Sequence, residues 1–110
     1  MNAMKNTVQL IGNVGNDPEI KSFDGGKKVA NLTIATNDSY KNDKGEKVEQ
    51  TEWHKVVAWG KTADIIEKYV TKGLQIGIEG KLTHRSYDDK NGEKRYITEV
   101  VVNEVMLLGK

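Results

Sequence analysis

Apolar side chains in this chain recur at every second position, and that period changes only once. Ala30, Leu32 and Ile34 alternate with Asn31, Thr33 and Ala35, and Leu74, Ile76, Ile78 and Leu82 keep a common phase of their own. A period of two sorts side chains onto the two faces of a strand, so these segments read as half-buried strands. The exception lies near residues 62–70, where Ile65/Ile66 and Tyr69/Val70 recur four apart, as on one face of a helix. A chain of strands with one short helix must pair or cover its sheet edges.

Turn chemistry divides the strands. The first runs from Thr7 to Val14, is interrupted at Gly12 and closes at Gly15-Asn16-Asp17-Pro18, where proline's missing donor does no harm. Glu19 to Phe23 extends the pairing up to Asp24-Gly25-Gly26, and a second strand spans about Lys28 to Asn37. Tyr40 to Gln50 is a polar loop or hairpin arm, and Thr51 to Gly60 is the third strand. Thr62 is placed to cap the helix, Asp64 to sit in its first turn, and Lys72-Gly73 to end it. A fourth strand covers Leu74 to Tyr87, Asn91-Gly92 marks a tight hairpin, and Arg95 to Leu108 is the fifth. The expectation is an all-β, five-stranded barrel with one helix between strands three and four and long β-hairpin arms, the plan of an OB-fold. One domain covers 1–110, with residues 1–4 expected to be disordered.

Composition removes several chemistries. Cysteine is absent, which excludes disulfides, thiolate nucleophiles and Cys-ligated metals. The longest aliphatic run, Val105 to Leu108, is far short of the ~20 residues that span a bilayer. With no signal-peptide core at the N-terminus, the cytoplasm is the expected compartment. Gly60-Lys61-Thr62 resembles the end of a phosphate-binding loop, but the motif's first glycine would fall at Lys55. Asp89, Asn91 and Gly92 echo a calcium loop whose first ligand would be Tyr87. His54 and His84 are not spaced as a metal pair, so no catalytic residue, metal or cofactor is expected. Net charge (17 Lys+Arg against 16 Asp+Glu) gives no basic excess, so any polyanion site must come from local distribution.

Such a distribution exists in Thr51 to Lys61. Strand phase aligns Trp53, Lys55, Val57, Trp59 and Lys61 on one face, opposite Glu52, His54, Val56 and Ala58. Indoles interleaved with lysines make a stacking surface with phosphate-reaching cations beside it. The two indoles stand about 20 Å apart at ~3.3 Å per residue. The competing reading buries both tryptophans in a core, but lysines in phase with them argue against it. Tyr40 and Tyr87 begin two similar polar segments, Tyr-Lys-Asn-Asp-Lys-Gly-Glu-Lys and Tyr-Asp-Asp-Lys-Asn-Gly-Glu-Lys. Lys81, Arg85 and Tyr87 supply a second aromatic–cation row.

On Val8-Gln-Leu-Ile-Gly-Asn-Val-Gly-Asn-Asp-Pro-Glu, Val29-Ala-Asn-Leu-Thr-Ile-Ala-Thr, Gln50-Thr-Glu-Trp-His-Lys-Val-Val, Gly60-Lys-Thr-Ala-Asp and Tyr96-Ile-Thr-Glu-Val-Val-Val, the chain resembles the bacterial single-stranded-DNA-binding proteins along nearly its whole length. The resemblance implies an OB-fold homotetramer, with a dimer as the alternative, that binds single-stranded DNA in replication, recombination and repair at the nucleoid. Position by position it puts Trp53, Trp59, Tyr40 and Tyr87 on stacking positions and Lys21, Lys55, Lys61, Lys72 and Arg85 along the DNA path. Thr83 stands where the family often has another base, and His54 where it has a histidine at subunit contacts. Family members usually continue into a disordered tail with an acidic tip; with the sequence ending at Lys110, the expectation is DNA coverage without tail-mediated recruitment. Two rivals are an RNA-preferring OB domain and an oligomeric OB scaffold that binds protein or sugar.

Overall fold

The alternation predicted from the sequence becomes six strands and one helix in a computed structural model that describes residues 5–109. The expectation for residues 1–4 lies outside the described residues. In chain order the elements are β1 (Val8–Val14), β2 (Glu19–Phe23), β3 (Lys27–Lys41), β4 (Lys47–Trp59), α1 (Gly60–Tyr69), β5 (Gln75–Asp88) and β6 (Lys94–Gly109). Five of the strands close a barrel in the order β1-β5-β6-β4-β3. Closure comes from Asn13↔Ala35 and Val14↔Ile34 between β1 and β3, and β4 meets β6 in parallel at Val56↔Val100 and Val57↔Val101. The Glu19–Phe23 segment is a separate sixth strand, added outside the barrel along β3 from Glu19↔Asn31 to Phe23↔Lys27.

The inward phase is the apolar one. Ala30, Leu32 and Ile34 of β3, Val56 and Ala58 of β4, Ile76 and Ile78 of β5, and Val100 and Val102 of β6 fill the barrel. The helix contributes Ala63, Ile66 and Val70 to the same core. Ile65 and Tyr69, read as part of the helix stripe, are instead 41% and 59% exposed; the buried stripe is narrower than two adjacent pairs. The helix also starts earlier than its expected cap. Trp59 is the N-cap without a side-chain bond, Thr62 lies inside the helix, and no acid occupies the first turn. Asp64 serves a tertiary contact: with Glu67 it grips Lys28 Nζ at 2.8 and 2.6 Å, tying α1 to β3. The chain leaves the helix at Val70, before Lys72-Gly73.

The two similar polar segments fold identically. Asn42 Oδ1 accepts from the amides of Lys44 and Glu46, and Asp89 Oδ1 from those of Asn91 and Glu93, at 2.9–3.0 Å. Each turn places one glycine at positive φ, Gly45 at 79° and Gly92 at 80°. Asn91 is not at positive φ, so the Asn-Gly pair does not form the two-residue turn its sequence suggests. It sits in a longer turn led by Asp89, whose carboxyl is held below the usual range by the Arg95 guanidinium and the Glu93 amide. Tyr40 and Tyr87 lie two residues before Asn42 and Asp89, near the arm tips. The arms stretch the molecule: its radius of gyration is 16.1 Å, against roughly 13 Å for a compact chain of this length.

Candidate nucleic-acid interface

Because paired residues in a sheet point the same way, the register shows which side chains share the barrel's outer surface. Trp53, Lys55, Val57 and Trp59 of β4 face Ala35, Thr33, Asn31 and Val29 of β3. Asn31 and Val29 in turn face Glu19 and Lys21 of β2. Across the parallel junction, Val57 aligns with Val101, and β6 carries the same phase through Glu99, Ile97 and Arg95 to Lys81, Thr83, Arg85 and Tyr87 of β5. One outer surface crossing five strands therefore carries Trp53, Trp59, Tyr87, Lys21, Lys55 and Arg85 together.

The aromatics on it are open to solvent: Trp53 is 62% exposed, Trp59 50% and Tyr87 49%. Trp53 nevertheless has a fixed seat. An added Cβ on Gly15 would stand 2.3 Å from Trp53 Cζ3 and 3.2 Å from its Cε3, so the indole lies directly over the Gly15 backbone. That backbone is itself anchored by the Gly15 amide on the Thr33 carbonyl at 2.9 Å, and Asn16 Oδ1 accepts from the Thr33 amide and hydroxyl at 2.8 and 2.7 Å. Trp59 is supported by Phe23 of β2, with ring centroids 6.4 Å apart and planes 26° from parallel.

Two shallow grooves flank Lys55. One, of about 380 Å³, brings Lys21, Lys55 and Arg85 together with Asn31 and the carboxylates of Glu19 and Glu99. The other runs from Trp53 past Lys55 to Tyr96 and Ile97. Glu99 is the buried acid of this surface, 7% exposed. It accepts from Arg85 Nε at 2.9 Å, which raises the guanidinium further above its ordinary value. Arg85 is thus a cation tethered through Nε, with further guanidinium donors beyond that bond.

Three expected site residues lie elsewhere. Lys61 is not in strand phase with Trp59, because the chain turns into α1 at Gly60. Lys72 is exposed in the turn after α1, where its amide donates to Asp17 Oδ1 at 2.9 Å. Tyr40, 50% exposed, pairs with Val48 and shares its phase with Thr36 and Ile34, the barrel's inner side. It reaches solvent because the arm has left the barrel. His54 is in that inner phase too, half-buried, with Nε2 3.0 Å from Thr36 Oγ1.

Sequence reasoning missed three contributors. Phe23 stands two residues from Lys21 in a five-residue strand that had not been separated from its neighbours. Glu99 was visible as a lone acid against Val100-Val101-Val102. Gly15 had no signal beyond its turn. A second outer patch lies on the other side of the barrel, where Ile11, Gly77 and Met106 form one row and Ile11 and Met106 are 64% and 63% exposed. Among the described residues, no cluster of His, Asp or Glu could hold a metal ion, and no helix is long and apolar enough to cross a membrane.

Comparison with known proteins points to one family. The profile of the Single-strand binding protein family matches residues 5–108. The chain is 50% identical over 105 residues to Single-stranded DNA-binding protein 1 of Chlorobaculum tepidum, covering 94% of this chain and 65% of that one. It is 45% identical over 109 residues to Single-stranded DNA-binding protein 1 of Xylella fastidiosa, covering 98% and 80%. The chain thus spans just under two thirds of the first relative's length. The solved complex of Plasmodium falciparum SSB with ssDNA superposes with a TM-score of 0.87 at 33% identity, covering 94% of both chains.

Proposed function

Starting from the fact that the chain belongs to the single-strand binding protein family, we propose that it coats single-stranded DNA without regard to base sequence. The observation that carries this reading is the single outer surface on which Trp53 and Trp59 alternate with Lys55 while Lys21, Arg85 and Tyr87 converge from neighbouring strands. Bases stack on the aromatic faces, contributing ~1–3 kcal/mol each, and the cations meet the phosphates between them. Any base has a face to stack, so the binding tolerates sequence. Tyr40 supplies a further stacking ring from the first arm. Lys61 and Lys72 meet the strand at the barrel end near α1, away from the main surface. No step of catalysis is involved.

The protein acts as a homo-oligomer, and a tetramer of dihedral symmetry needs more than one kind of self-contact. The apolar row of Ile11, Gly77 and Met106 offers one, on the side of the barrel away from the DNA surface. The rim around His54, with exposed Leu82 and Tyr96, offers a second. Its place is the cytoplasm, on strands exposed in replication, recombination and repair. Competition among single-stranded DNA, duplex DNA and RNA of equal length tests the reading. Preference for the DNA single strand is expected; preference for RNA would move the chain to the RNA-binding class.

A further inference from the structure

Phe23 is a large apolar side chain that the core does not use. Its strand β2 sends Ile20 toward the barrel interior, where it packs against the buried cluster. Glu19, Lys21 and Phe23 take the opposite phase, and Phe23 remains 49% exposed. Phe23 belongs neither to the buried cluster nor to the side chains packed against it. What its ring does touch is Trp59, in a stacked arrangement with both rings still about half open to solvent. Two lysines stand beside the pair, with Asp24 and Glu19 as the acids nearest in sequence. Lys27 is the direct cross-strand partner of Phe23, and Lys21 lies in the row Lys21–Val29–Trp59. The lysine–aromatic alternation of Lys55 to Trp59 on β4 is thereby repeated on β2 as Lys21-Ser22-Phe23.

We propose that Phe23 and Trp59 form a composite platform that takes an unpaired nucleobase at the outer edge of the sheet, with Lys21 and Lys27 meeting the phosphates on either side. The inference rests on the single-strand-binding reading above and adds a base site to it. It makes β2 the strand that carries the nucleic acid beyond the closed barrel. The turn that follows β2 runs through Gly25 and Gly26, both at positive φ, where an added Cβ would stand in open space.

The test compares Phe23→Leu and Phe23→Tyr with the parent chain in titrations against an oligo-dT single strand. A 5-iodouracil-substituted strand is photocross-linked in parallel and the modified peptide sequenced. Loss of the ring in Phe23→Leu should weaken binding about tenfold with the salt slope unchanged, while Phe23→Tyr should bind like the parent. Lys21→Ala or Lys27→Ala should instead flatten the salt slope by about 0.7 each. Parental affinity in Phe23→Leu would overturn the proposal and leave the general reading standing; failure of the parent to bind would refute that reading itself. If Phe23→Leu unfolds, the cross-link decides: adducts on the Phe23 peptide uphold the site, and adducts confined to β4 and β5 overturn it.

Discussion

Gly15→Ala should weaken single-strand binding although Gly15 itself need never touch DNA. The position has no positive φ, so alanine meets no backbone strain there; what it meets is Trp53. The new Cβ would stand 2.3 Å from Cζ3 of the indole, where carbon–carbon contact requires about 3.5 Å, so the ring must retreat by about 1.2 Å. It can do so because it is 62% exposed, and it thereby leaves the seat that presents it for stacking. Losing much of one stacked base, out of ~1–3 kcal/mol, should raise the dissociation constant roughly fivefold to thirtyfold. The same Cβ would lie 2.7 Å from Thr33 Oγ1 and disturb its bond to Asn16, costing at most about 1.5 kcal/mol of stability. A double-mutant cycle measured by oligonucleotide titration separates the effects. In a Trp53→Ala background, Gly15→Ala should change affinity by less than about 0.5 kcal/mol, because the indole it displaces is gone. Additive losses, or unchanged affinity in Gly15→Ala alone, would refute the seat.

Lys55→Ala should weaken binding equally for all base sequences and flatten the dependence of log K on log salt by about 0.7, read from titrations at several salt concentrations. Ile66→Ala, at a fully buried helix position, should cost about 2–5 kcal/mol in urea unfolding; a smaller loss would mean that α1 does not plug the barrel. Ile11→Asp places a charge in the apolar row with Met106 and should lower the mass found by sedimentation while the isolated chain keeps its fold.

Strand phase was legible because burial on a pleated strand repeats every two residues, and Leu32, Ile34, Val56, Ile76 and Val100 obey it. The turns that close the arms were legible in part: the likeness of residues 40–47 to 87–94 was plain in the sequence, but not the turn they share, which Asn42 and Asp89 set through their side chains. The helix start was hidden because its cap involves no side-chain bond, and with it the fate of Lys61. The face of Trp53 and Lys55 followed from period two alone. Its continuation onto β2 and β5 did not, because that depends on which strands become neighbours and in what register. The same cause concealed the phase of Tyr40 and the partnership of Arg85 with Glu99, residues fourteen apart in sequence that only the β5–β6 pairing brings together.

The most direct test of the central claim is a tryptophan-fluorescence titration with oligo-dT, at low and high salt, alongside duplex DNA of equal length. Strong quenching by the single strand alone, weakening as salt rises, is the result expected if bases stack on Trp53 and Trp59 beside phosphate-bound cations. Fluorescence unchanged by the single strand, or quenched equally by duplex, would contradict it.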